Sequence, residues 1–155
     1  LFCDADVVLK PRCLAQMIQT LRDHPEASYA YSAFVFGWKT FPLWEFSAEK
    51  LRRENYVHTT SLIRKEHFPG FDTALHRMQD WDLWLTMLEH HHTGVWIADV
   101  LFTVRVDHRR FAFNKSAWAP SLLYRIPWPI LGYTPPVVRH KRDAEAIVRK
   151  KHGLA

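Results

Sequence analysis

An α/β fold, with a mixed sheet flanked by helices across residues 1–106, is what the sequence predicts, and three observations carry that prediction. Leu1-Phe2-Cys3-Asp4-Ala5-Asp6 is an apolar run ending in two acids, and an amphipathic stretch opened by Pro11 follows it. Residues 28–36 are dense in aromatic and small apolar side chains, as strands are. Residues 79–91 repeat their apolar positions at helical spacing, and short strand-like runs at 95–98 and 101–106 come next.

The elements follow in order. Leu1 to about Asp6 reads as the end of a buried strand. Proline favours the first position of a helix, so Pro11 is expected to start one. Leu14, Met17, Ile18 and Leu21 then share a face at i, i+3, i+4, i+7. That helix stops before Pro25, because the residue preceding a proline disfavours helical backbone. Residues 37–46 are expected to form an aromatic loop around Pro42. Ser47 is placed to cap a short helix over 48–53. Residues 56–63 read as a further strand, and His67 to Asp72 as a Pro-Gly turn. The helix from Gln79 buries Leu83, Trp84, Met87 and Leu88, widened by Trp81 and Leu85, and Gly94 is expected to end it. From His108 the chain becomes basic and aromatic. A Pro-rich apolar stretch over 119–138 and a basic, helix-like tail over 139–152 follow. The division expected is 1–110 as one domain and 111–155 as arm and tail.

Composition sets the outer limits. At 155 residues the chain is one domain's worth and can bury a core. Its formal net charge of +5 favours anionic partners such as nucleoside diphosphates or acidic lipid. The positive charge gathers in the C-terminal tail and no nucleic-acid motif is present, so nucleic acid is not the expected partner. Cys3 and Cys13 form no metal-type pair and are expected to be reduced, as in the cytoplasm. No membrane-spanning helix is predicted. There is no initiator Met and the chain opens inside an apolar strand, so it is expected to be a fragment lacking the first part of its sheet.

The chemistry lies in the acids. On a strand, Asp4 and Asp6 point to one side, because side chains alternate with period two. Two carboxylates at a strand end can hold a hard divalent cation and, through it, a diphosphate. The plainer alternative is a turn, where aspartate is common. Asp80 and Asp82 fall at the start of the buried helix. Acids there are favoured by the helix dipole alone. A carboxylate at the mouth of a cleft can also take a proton from a hydroxyl nucleophile. His90, His91 and His92 are consecutive, so they diverge around a helix end and make a poor metal cage. Trp38 and Trp44 are either loop anchors or sugar-stacking platforms.

The ordered set is specific: Asp4-x-Asp6 and a Pro-started helix, then Gly70-Phe71-Asp72, then Asp80 beside Trp81 eight residues after Asp72. From Leu1 to about Arg110 it resembles the second half of a family 2 glycosyltransferase, the inverting, nucleotide-sugar-dependent kind with the Rossmann-like GT-A fold. The resemblance implies transfer of a sugar from a nucleotide-sugar donor to a saccharide or lipid-linked acceptor hydroxyl, assisted by Mn²⁺ or Mg²⁺. It implies that Asp6 ligates the cation, that Asp4 faces the ribose and the metal, and that Asp80 is the general base. It places Phe71 and Asp72 in a loop on the sugar and acceptor side. Arg105 and His108 fall where family members carry an Arg and a His, which offers His108 as a further metal ligand. Gln79 stands where the family has Glu.

Two other classes of function remain open on the sequence. One is a degenerate, non-catalytic domain of the same fold. The other is a membrane-surface scaffold in which 119–152 lies on the inner face of the membrane, the Pro-rich stretch in the interface and the tail on acidic lipid.

Overall fold

The structure is a computed structural model that describes residues 1–106 and 135–154. The chain divides into two compact units, Leu1–Val106 and Asp107–Ala155.

The first unit is an α/β unit with a mixed open sheet. Its strands are β1 (Val7–Leu9), β2 (Tyr29–Phe36), β3 (Lys39–Phe41), β4 (Leu62–Ile63) and β5 (Gly94–Val104), and its helices are α1 (Cys13–Asp23), α2 (Ala48–Arg53) and α3 (Gln79–Glu89). The order is β1-β5-β2-β3, with β4 also paired to β2. β2 and β5 run parallel, and the pairs β1–β5, β2–β3 and β2–β4 are antiparallel.

β2 serves two cores because its side chains alternate. Ala30 and Phe34 join Cys13, Met17 and Leu21 of α1 with Leu101 and Phe102 of β5. Tyr29 and Tyr31 belong to an aromatic group in which Tyr29 lies 4.6 Å from Trp84 and Tyr31 lies 6.0 Å from Tyr56. Both buried indoles of α3 satisfy their N–H: Trp81 Nε1 donates to the Leu51 carbonyl at 2.7 Å and Trp84 Nε1 to Val57 at 2.8 Å. These two bonds pin the stretch 51–58 to α3.

Several expectations are corrected. Residues 1–6 are not a strand. Val7 N–H donates to the Asp4 carbonyl at 3.0 Å, closing a turn, and β1 begins only at Val7. A strand needs a ladder partner, and β1 finds one in β5 from Val7 onward. Pro11 precedes α1 by a residue, because Arg12 takes a left-handed conformation at φ 66° before Cys13. α1 buries Cys13, Met17 and Leu21, whereas Leu14 and Ile18 are exposed. The buried stripe is thus rotated by one position from the expected face. The loop 37–46 contains β3, and in 56–63 only Leu62–Ile63 pairs as strand. The two late strands are one, β5, with register shifts against β2 around Ala33.

Gly94 does not end α3; it opens β5. His91 ends the helix instead, at φ 62°, with His92 N–H on the Met87 carbonyl and His91 N–H on Leu88. That is the Schellman closure, here without its usual glycine. Gly94 is glycine for another reason: a Cβ there would stand 2.3 Å from the Tyr29 ring.

In the second unit, α4 (Pro136–Lys151) starts with proline in its first turn. It ends in the same closure as α3, made this time by Gly153 at φ 61°, with Leu154 N–H on the Arg149 carbonyl. Val138, Ala144 and Val148 are buried, while Arg139 and Lys150 are exposed. Among the described residues no helix is long and apolar enough to cross a membrane. Most of the Pro-rich stretch 119–138 lies outside the described residues.

Candidate functional site

Asp4 and Asp6 are exposed and flank the turn that precedes β1. They sit at the amino end of their own strand, not at a carboxyl end as expected, and strand alternation does not govern their direction. Topology nevertheless carries them to the corresponding place. β1 runs antiparallel to β5, so the start of β1 meets the finish of β5: Arg105 N–H donates to the Asp6 carbonyl at 2.7 Å. β2 finishes beside β5, where Gly37 N–H donates to the Val104 carbonyl at 3.0 Å. The acid pair therefore stands beyond the carboxyl ends of the two parallel strands, the position where open α/β sheets bind ligands.

The turn is tied to the Gly70-Phe71-Asp72 loop by three phenyl rings. Phe2 lies 5.2 Å from Phe68 and 4.8 Å from Phe71, ring centre to ring centre. Gly70 takes φ 93°, which a side chain would strain. Asp72 holds the loop's own geometry: its Oδ1 accepts Ala74 N–H at 2.9 Å, an Asx turn leading toward α3.

Asp80 is the second residue of α3 and is half-buried. Its carboxylate is oriented from both sides: Oδ2 accepts from Asn55 Nδ2 at 2.7 Å and Oδ1 from its neighbour Trp81 N–H at 2.9 Å. Each oxygen keeps a lone pair for a further donor. Asp82 differs, being only 3% exposed. Gln79, the residue before Asp80, is fixed locally. Its Nε2 donates to the Leu75 carbonyl at 2.7 Å, a bond that a glutamate carboxylate cannot make.

Sequence reading missed His58. Its ring lies 5.1 Å from both Phe34 and Phe102, and its Nδ1 accepts Thr60 N–H at 3.0 Å. Burial holds its pKa below the ordinary imidazole value, against the opposing pull of Asp80, Asp4 and Asp6. All three carboxylates are thus near enough for their charges to act on one ring. A lone histidine in a stretch that reads as strand leaves little trace in a sequence. The only local sign was its polar sequel, Thr59-Thr60-Ser61.

Among the described residues no group of three or more His, Cys, Asp or Glu is placed to hold a metal. Asp4 and Asp6 fit a smaller share. A Mg²⁺ or Mn²⁺ ion that bridges a diphosphate needs only one or two protein carboxylates, and water and phosphate supply the rest. His108 lies outside the described residues. Of the histidine run, His92 stacks on His67 at 4.1 Å and shares a hydrogen bond of 3.1 Å with Ser28. Trp44 is an anchor: its carbonyl accepts the Tyr31 hydroxyl, and Lys50 Nζ lies 4.4 Å above its ring. Trp38, 72% exposed, follows Gly37 in the β2–β3 connection.

No protein-family model matches the sequence, and a comparison with curated proteins finds no match.

Proposed function

We propose that the chain forms the metal- and acceptor-side part of an inverting, nucleotide-sugar-dependent glycosyltransferase of the GT-A type. The observation that carries this reading is that the turn bearing Asp4 and Asp6 meets the carboxyl ends of β2 and β5 and packs through Phe2 on Phe71 of the loop that leads to Asp80, more than seventy residues further along the sequence. Inverting transfer asks for a base on the acceptor hydroxyl and a counter-charge on the leaving diphosphate, on opposite sides of the sugar. Asp80, oriented by Asn55 and Trp81, takes the proton as the acceptor oxygen bonds to the anomeric carbon. The bond from that carbon to the phosphate oxygen breaks, and the nucleoside diphosphate leaves. Asp6 and Asp4 would hold Mn²⁺ or Mg²⁺, which when bound would supply positive charge opposite the departing phosphates.

The acceptor is a saccharide or lipid-linked hydroxyl on the side of Phe71. The basic α4, with Arg139, Lys150 and Lys151, suits an anionic surface. It fits a protein of the cytoplasm that touches the inner face of the membrane. The test is donor binding and turnover in the complete protein with nucleotide sugars and Mn²⁺, in wild type and in Asp6→Asn. The substitution removes a charged ligand and should abolish most of the metal-dependent gain in affinity. Equal metal-dependent affinity in wild type and variant would remove Asp6 from the site. Binding without turnover in the wild type would favour the degenerate, non-catalytic alternative.

A further inference from the structure

We propose that His58 contacts the transferred sugar, donating a hydrogen bond from Nε2–H to one of its hydroxyls, and that it is a specificity-determining residue of the donor site. This rests on the glycosyltransferase reading above.

The tautomer comes first. Nδ1 accepts the Thr60 N–H at 3.0 Å, so in the neutral ring the proton sits on Nε2. Orientation comes second. The ring is flanked by Phe34 and Phe102, each 5.1 Å away, and the carbonyl of His58 accepts the Ser61 hydroxyl at 2.6 Å. Two aromatic neighbours and the Thr60 N–H thus set the ring's orientation, and the Ser61 hydroxyl braces its backbone. Among the described residues Nε2 has no hydrogen-bond partner, so a fixed donor stands without an acceptor. Its surroundings come third. Phe34 and Phe102, which flank the ring, pair near the carboxyl ends of β2 and β5, the end that the turn of Asp4 and Asp6 reaches, and Asn55, three residues before His58, donates to Asp80; in the chemistry proposed above, Asp4 and Asp6 serve the diphosphate and Asp80 the acceptor. In an in-line displacement, what lies between the diphosphate and the acceptor is the sugar. A neutral donor suits an uncharged hydroxyl, whereas a phosphate in this position would call for a cation.

The experiment separates the sugar from the nucleotide. The complete protein is titrated with UDP-glucose, UDP-N-acetylglucosamine, GDP-mannose and dTDP-rhamnose, each against its own nucleoside diphosphate, all with Mn²⁺. The variants are His58→Asn, whose amide oxygen can still accept the Thr60 N–H but whose side chain is too short to replace Nε2–H, and His58→Gln, whose longer amide reaches toward that position. For the donor that the wild type binds, His58→Asn should weaken the nucleotide sugar roughly fivefold to tenfold and leave the nucleoside diphosphate unchanged. His58→Gln should retain most of the affinity. Equal losses for nucleotide sugar and nucleoside diphosphate would make His58 a structural residue and overturn the inference, as would no loss in His58→Asn. A wild type that binds none of the nucleoside diphosphates with Mn²⁺ would instead bring down the glycosyltransferase reading, and this inference with it.

Discussion

Asp80→Asn should separate catalysis from stability, and the structure allows the separation to be estimated. The carboxylate accepts two hydrogen bonds. The one from Trp81 N–H survives, because the new amide keeps an oxygen. The other, from Asn55 Nδ2, would set two amide nitrogens against each other. Asn55 can relieve this by turning its amide over, since its Oδ1 is buried without a partner. One satisfied pair and one orphan atom are then exchanged for another such pair and orphan. What remains is the loss of a negative charge in the first turn of α3, worth about 0.3–1 kcal/mol. For a unit of this size that lowers the melting temperature by roughly 2–8 °C. A base acts mainly in the transition state, so turnover should fall by roughly a hundredfold or more while donor affinity holds. Thermal unfolding, donor titration and turnover on the same preparation test this. Asp82→Asn is the control: at 3% exposure its change should cost stability more than turnover. If Asp82 proved essential at equal stability, or if Asp80→Asn kept full turnover, the assignment of the base would be wrong.

Three further outcomes follow from the packing and the titrating groups. Gly94→Ala should cost roughly 1–3 kcal/mol in denaturant unfolding, because its Cβ would meet Tyr29 ring atoms at 2.3–2.8 Å and that ring is fully buried, with Trp84 packed 4.6 Å from it; a change too small to detect would mean that the ring can shift. Arg64→Met should cost roughly 2–4 kcal/mol by thermal or urea unfolding, since the guanidinium donates to the Ala27 and Leu21 carbonyls at 2.8 and 2.6 Å and so ties down the end of α1. Burial depresses the folded-state pKa of His58 and, chiefly by the same cause, of His92, so below about 6.5 the unfolded chain binds more protons and stability should fall with pH; unfolding curves between pH 5 and 7.5 should show a shallower fall in His58→Asn than in wild type.

The fold was legible where side-chain period and local chemistry agree. The aromatic run of β2, the Ser47 cap of α2, whose Oγ accepts Lys50 N–H at 3.3 Å, and the buried helix α3 are all written locally. What was misplaced depends on partners distant in sequence. Leu14, Met17, Ile18 and Leu21 fit one face of a helix, but the pull of β5 and β2 buries the neighbouring stripe through Cys13. Bulges made one strand look like two, because the register shift displaces Ala98 and Asp99 outward. Gly94 illustrates a general ambiguity. A glycine after a helix suggests a cap, yet here the same residue answers to a tyrosine sixty-five positions earlier, and a histidine takes the left-handed cap.

The acid pair shows how a local error can leave the larger geometry intact. Asp4 and Asp6 were expected at the end of a strand, and they stand at the start of one. Their position in the sheet depends on which way the neighbour runs, and β5 runs against β1. A start on β1 is therefore a finish on β5, and β2 finishes there too, since it is parallel to β5. The acids reach the edge at which open α/β sheets bind ligands through pairing rather than through their own strand. His58 was invisible for the complementary reason. His58 itself lies in no strand, four residues before β4, and two indole hydrogen bonds from α3 hold the backbone at Leu51 and Val57. The helix that presents Asp80 thereby also positions the imidazole near it. Any substitution that loosens Trp84 should disturb His58 and Asp80 together, so their effects on donor affinity and turnover should couple rather than add.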